Sequence, residues 1–213
     1  GDYFNTNTSS LNPANRGYGF FVYGTLPIFM IRYLGEALGQ TDYHAITIVG
    51  RHVSAIFDLM TVLLVFAIGK RLYNKWAGLL GAVLYALAVL PIQLSHFMTV
   101  DTITNTFAFL AIYAGVWALT RKKVSIPNQP SHDLTKEQSD ADNPGETEPR
   151  GFDPVLIGRT LRELAPYILF GIALGAATAS KINAVVLAMV LPLVEGVRFF
   201  KMDPSERQTA LFP

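Results

Sequence analysis

Six side chains combine reactive chemistry with a place where it could be used: Asp101, Lys181, Arg51, His96, Asp58 and Tyr23. Asp101 stands in Ser95-His96-Phe97-Met98-Thr99-Val100-Asp101-Thr102, after 25 uncharged residues that begin beyond Lys75. A carboxylate there can cap the helix that follows. It can equally hold a metal or accept a proton from a substrate hydroxyl. Lys181 stands alone between Ser180 and Ile182, at a turn joining two apolar segments. It either snorkels to the membrane interface or binds an anion such as a lipid phosphate. Arg51, in Gly50-Arg51-His52, admits the same two readings. Asp58 lies two turns inside an apolar segment, where an ionisable residue means function or a hydrogen-bonded neighbouring helix. His96 and His52 could ligate a metal, but no HxxxH or HExxH spacing accompanies them, so a structural role is expected. Glu195 is expected to be paired or snorkelling, and Asn7-Thr8-Ser9 fits the glycosylation sequon.

These residues must be positioned by apolar elements. Five segments, roughly 52–69, 77–97, 102–119, 164–180 and 182–198, are near the length that crosses a bilayer. Before them, residues 1–22 read as an exterior loop rich in Asn, Pro, Gly and aromatics. Residues 23–39 read as a helix lying in the interface, because Arg32 and Glu36 break a short apolar stretch. Spans one to three fall within 50–120 and spans four and five within 164–201. Residues 121–163 read as a disordered loop with an amphipathic end at 155–163, and 202–213 as a tail. The expected fold is an all-α polytopic transmembrane bundle.

Orientation follows from the cations. Placing the loop, the tail, the turn carrying Lys70, Arg71 and Lys75, and Arg198 and Lys201 after the fifth segment in the cytoplasm puts 13 of 17 Lys and Arg inside. Residues 1–51 and the turns at 97–101 and 180–182 then face the exterior, and so does most of the chemistry. The protein is expected in the plasma membrane with its active face outside.

The bulk figures agree once separated. The 213 residues are 51% hydrophobic and 15% charged, but residues 121–163 hold 15 of the 33 charges. A net charge of +1 gives no electrostatic case for nucleic acid. Zero cysteines exclude disulfides and thiolate metal sites. The chain opens on Gly1 and ends on Pro213 without a start or stop pattern, so it reads as a piece of a longer protein.

Five stretches in order resemble one superfamily. Tyr23-Gly24-Thr25-Leu26-Pro27-Ile28-Phe29 resembles the Tyr-Pro-Pro-Leu-type start of an interfacial helix in polyprenyl-phosphate-dependent GT-C glycosyltransferases, among them the protein O-mannosyltransferases and aminoarabinose transferases. Val49-Gly50-Arg51-His52-Val53-Ser54-Ala55 resembles their Arg-x-x-Ser span opening. Ala67-Ile68-Gly69-Lys70-Arg71-Leu72-Tyr73 resembles their Leu-Gly-Arg-Arg-Leu-Phe turn. Leu90-Pro91, Ser95-His96 and Asp101 resemble a Ser-Pro…Ser-Arg…Asp stretch. Gly171-Ile172-Ala173-Leu174-Gly175 and Thr178-Ala179-Ser180-Lys181 resemble a Gly-Leu-x-x-Gly…Thr-Lys segment.

The resemblance implies an inverting transfer of a sugar from a polyprenyl-phosphate donor in the bilayer to an exterior acceptor, which could be protein, lipid or glycan. Asp101 matches a family aspartate of the catalytic cavity. Lys181 matches a lysine near the donor phosphate, and Arg51 is expected beside it. Tyr23, His96 and Asp58 are expected to line the cavity. A further family acidic residue, which activates the acceptor or holds a divalent metal, is expected before Gly1. Gly24-Thr25 replaces the usual Pro-Pro. The alternative is a transporter or flippase subunit with Asp58 and Asp101 on its path. It should gather its ionisable residues at mid-membrane, whereas most of these fall at one face.

Overall fold

A computed structural model describes Asn5, Asn7, Thr8 and residues 13–17, 23–121 and 154–200. The expected loop and tail at 122–153 and 201–213 lie outside the described residues, as does part of 1–22. Among the described residues seven α-helices run in chain order: α1 Leu26–Ala37, α2 Tyr43–Leu72, α3 Lys75–Ala86, α4 Val89–Ser95, α5 Val100–Thr120, α6 Pro154–Ser180 and α7 Val190–Phe200. Short 3-10 helices occupy Pro13–Arg16 and Ile182–Met189. The described residues contain no strand beyond a single bridge between Tyr23 and Lys181. The all-α bundle is thus observed.

Among the described residues, four helical segments are long and apolar enough to cross a membrane: Tyr43–Leu72, Val100–Thr120, Leu161–Ser180 and Ile182–Phe200. The α3–α4 pair makes a fifth if counted as one span bent by 62°. The protein is a multi-pass integral membrane protein.

Local chemistry sets the helix ends. Asp42 caps α2, its carboxylate accepting from the His44 amide at 3.2 Å. Asn74 caps α3 by accepting from the amides of Trp76 and Ala77, both at 3.0 Å. Each satisfies donors that a helix start leaves orphaned. Lys70 and Arg71 stand in the last turn of α2, where cations suit the helix dipole. Arg71 donates to Thr120 Oγ1 at 2.7 Å and lies over the Trp117 ring, joining the ends of α2 and α5. Pro91 explains the bend. It has no N–H for the carbonyl four residues back, Leu87, and the chain breaks between Ala86 and Val89.

Among the described residues, those of 1–120 and 166–213 form one compact unit and those of 121–165 another. In the first, Ile31, Val49, Val53 and Ile103 join α1, α2 and α5. Ala111, Ala114, Phe170 and Ala173 join α5 to α6. Small residues let backbones approach, as expected where lipid removes the hydrophobic drive between helices. A Cβ on Gly69 would fall 2.7 Å from Gly78 Cα, so α2 and α3 meet nearly backbone to backbone. Thr106, 1% exposed, donates to the Phe57 carbonyl at 2.7 Å and shares a hydrogen bond with the Thr61 hydroxyl at 2.8 Å. This gives α2 and α5 a polar lock in an apolar surround. In the second unit the Arg121 guanidinium donates to the Glu163 carbonyl.

Candidate functional site

Three segments far apart in sequence converge on Lys181. The chain leaves α6 at Ser180 and passes through Lys181 in extended conformation before the 3-10 helix. The Lys181 amide donates to Ala177 O at 2.9 Å and its carbonyl accepts from Ala184 N at 2.9 Å, so its backbone is fixed on both sides. The segment before α1 then pairs with it. Gly24 N donates to Ser180 O at 2.8 Å, and Tyr23 bridges Lys181 in antiparallel sense. Only glycine permits this contact, since a Cβ at Gly24 would lie 1.8 Å from Ala179 O. The Lys181 ammonium sits 5.7 Å from the centre of the Tyr23 ring, within cation–π range.

The third segment is the start of α5. Lys181 Nζ donates to Asp101 Oδ1 at 2.7 Å, the length of a charge-assisted hydrogen bond. Asp101 lies in the first turn of α5, where the helix dipole favours an anion. The pair is half-buried, with side-chain exposures of 29% for Lys181 and 35% for Asp101. The Asp101 hydrogen bond holds the lysine above its ordinary pKa, ahead of an opposing contribution from burial. Lys181 is therefore charged at neutral pH. One carboxylate oxygen is committed to it.

The other expected residues sit elsewhere. Arg51 and His96 line a cleft of about 350 Å³ together with Ile48, His52, Ala55 and Ser95. It lies between α2 and the end of α4, across the turn that leads to Asp101. Asp58 is farther along α2 and accepts from Tyr85 Oη of α3 at 3.2 Å, a helix-to-helix hydrogen bond. Glu195 accepts from Tyr167 Oη at 2.7 Å, and Arg198 donates to the same phenol at 2.9 Å. The structure thus brings Tyr23, Asp101 and Lys181 together, groups Arg51 with His96, and sets Asp58 apart. Among the described residues no three His, Asp or Glu side chains gather where they could hold a metal ion. The immediate neighbour of Asp101 is a cation, which opposes a second one.

Gly24 is the residue that sequence reasoning undervalued. The signal was its departure from Pro-Pro. A proline has no N–H to give Ser180, and any side chain would collide with Ala179.

Arranged this way, the ion pair can handle a substrate with both a proton to lose and a negative charge to shed. The family model for dolichyl-phosphate-mannose-protein mannosyltransferases matches residues 43–126. That stretch runs from α2 through α5 and contains Arg51, Asp58, His96 and Asp101, but neither Tyr23 nor Lys181. Over it the chain is similar to membrane glycosyltransferases of the GT-C type. No curated protein and no solved structure matches the chain.

Proposed function

We propose that the chain is part of a membrane glycosyltransferase that moves a sugar from a polyprenyl-phosphate carrier to an acceptor at the outer face. The observation that carries this reading is the 2.7 Å pair of Asp101 and Lys181. It sits where two helix ends meet, and Asp101 lies within the stretch matched by the mannosyltransferase family model. Mannose is the sugar that the family's description names, and it is the first to test.

The acceptor hydroxyl attacks the anomeric carbon, forming the new glycosidic C–O bond. The bond from that carbon to the phosphate oxygen breaks, and its electron pair leaves with the phosphate. Asp101 takes the hydroxyl proton through the carboxylate oxygen not bound to Lys181. Lys181 faces the charge that grows on the departing phosphate. A donor anchored in the bilayer presents its phosphate at headgroup depth, the depth we assign to this helix junction. Tyr23, laid against the ammonium, keeps Lys181 from swinging away. Arg51, expected with Lys181 in this role, we assign to its own cleft.

The test uses the intact protein in vesicles with a polyprenyl-phosphate sugar, mannose first and then other hexoses and pentoses. D101N removes the proton acceptor and keeps the shape; transfer should fall at least about 100-fold, the usual weight of a general base. Transfer by D101N at the wild-type rate sinks the reading.

A further inference from the structure

Asp101 can meet Lys181 only if the first turn of α5 is held at the right height. A helix start is its loosest part, because its first amides lack partners within the helix. Deeper in α5, Ile103 is 0% exposed and Thr106 is bonded to α2, so the body of the helix is fixed. The first turn hangs from the connection that precedes it, residues 96–99 between α4 and α5.

Among the described residues the hydrogen bonds of that connection are local. Phe97 N donates to Leu94 O at 3.3 Å, Thr99 Oγ1 to Leu94 O at 3.4 Å and Thr102 Oγ1 to Thr99 O at 3.2 Å. They shape the connection but tie it to nothing outside α4 and α5. Toward α2 the cleft of about 350 Å³ intervenes, with Ser95 and His96 on one side and Ile48, Arg51, His52 and Ala55 on the other.

Met98 makes the crossing to α2. A Cβ built on Gly50 would fall 2.5 Å from Met98 Cγ, 2.6 Å from its Sδ and 3.1 Å from its Cβ. Gly50 is buried, and its missing side chain is the notch that takes the methionine. Glycine weakens a helix interior, so its place in α2 needs a reason, and this contact supplies one. By contrast, a Cβ on Gly171, Gly175 or Gly196 meets nothing within 4 Å. Methionine suits the seat, since its unbranched stem follows an irregular gap.

We propose that Met98, seated on Gly50, is a positioning residue for Asp101. It pins the connection to α2 and so sets the carboxylate, three residues further along, against Lys181 Nζ at 2.7 Å. Met98 touches no reacting atom and acts through Asp101. Its effect on turnover rests on the sugar-transfer reading above; its effect on the ion pair stands without that reading.

The experiment uses the full chain and two readouts. The first is acetylation of Lys181 by acetic anhydride in neutral detergent, followed by mass spectrometry. The paired wild-type lysine should react slowly, and D101N sets the rate of the unpaired one. G50A and M98A should each speed Lys181 toward the D101N rate, and G196A should not. The second readout is transfer in vesicles from polyprenyl-phosphate mannose. G50A and M98A should lower kcat about 10- to 100-fold with KM within about twofold, the mark of a misplaced reacting group. M98L keeps the bulk and should stay within about threefold of the wild type. G50A/M98A should be no worse than the poorer single variant, because two changes to one contact do not add. Wild-type acetylation of Lys181 in G50A and M98A overturns the proposal. So do additive losses in the double variant, or an unchanged kcat in an enzyme that needs Asp101. Transfer intact in D101N refutes only the sugar-transfer reading; faster acetylation in G50A and M98A then still upholds the placement of Asp101 by Met98.

Discussion

Gly24→Ala is the smallest change that should disable the site without touching a charged group. Its added methyl would sit 1.8 Å from Ala179 O and 2.3 Å from Ala179 C. Both are main-chain atoms of α6, which cannot turn aside as a flexible side chain would. The segment before α1 must therefore lift away. Lifting breaks the 2.8 Å bond from Gly24 N to Ser180 O and leaves an acceptor unmatched on a residue that is 0% exposed. An orphaned buried acceptor costs about 1–3 kcal/mol. Loss of the Tyr23–Lys181 contact adds about 1 kcal/mol. Together they favour local opening by about 2–4 kcal/mol, or about 30-fold to several hundred-fold in its equilibrium. Amide hydrogen exchange in the peptide covering residues 23–37 reads this directly: the segment should exchange faster by that factor, with α5 unchanged. Gly175→Ala is the control, because a Cβ there meets nothing within 4 Å. If Gly24→Ala exchanges like the wild type and like Gly175→Ala, the strap does not hold Tyr23 on Lys181 and the reasoning fails.

Other outcomes follow from the same geometry. Thr106→Val removes the hydroxyl shared by Phe57 O and Thr61. It should lower stability by about 1–2 kcal/mol, read as a lower thermal midpoint in detergent. The Lys181 pKa is raised in the fold, so its pairing stabilises the protein fully below a lysine's ordinary value and loses that effect as pH rises through the raised one. The difference in thermal midpoint between wild type and K181M should therefore hold steady through neutral pH and narrow in strong alkali; a difference that grows there contradicts the pair. A cysteine at Asn183 should react with an impermeant reagent added outside cells, and labelling only from the cytoplasm would reverse the proposed orientation.

The apolar runs made the bundle legible before any coordinates. The expected 102–119 became Val100–Thr120, and 182–198 became a 3-10 turn running into α7. The starts were harder. Arg51 looked like the boundary of a span that in fact begins at Tyr43, because a charge at headgroup depth does not stop a helix while the Asp42 cap does start one. The segment 77–97 read as one span because hydropathy is blind to hydrogen bonding; Pro91 carried the break. Asp101 and Lys181 could each be singled out by standing alone in apolar surroundings. Their pairing could not, since it depends on where α5 begins relative to where α6 ends. The grouping of Arg51 with His96 was hidden for the same reason: the direction of Arg51 is set by the face of α2 that Val49 and Val53 turn toward Ile103.

The break at Pro91 also changes the thickness that the protein offers to the membrane. The 12 residues of α3 rise about 18 Å at 1.5 Å each, and the 7 of α4, turned by 62°, add only about 5 Å along that direction. The 30 residues of α2 beside them run about 45 Å. A hydrocarbon core of about 30 Å is thus overshot by one helix and undershot by its neighbour. Lipid against the short side must thin or let headgroups and water sink in to meet it. The Arg51 cleft opens at that step, between the upper turns of the long helix and the tip of the short one. Acyl-chain length would then act on this protein as a ligand does, since a thinner bilayer brings phosphates down to a level that a thicker one withholds.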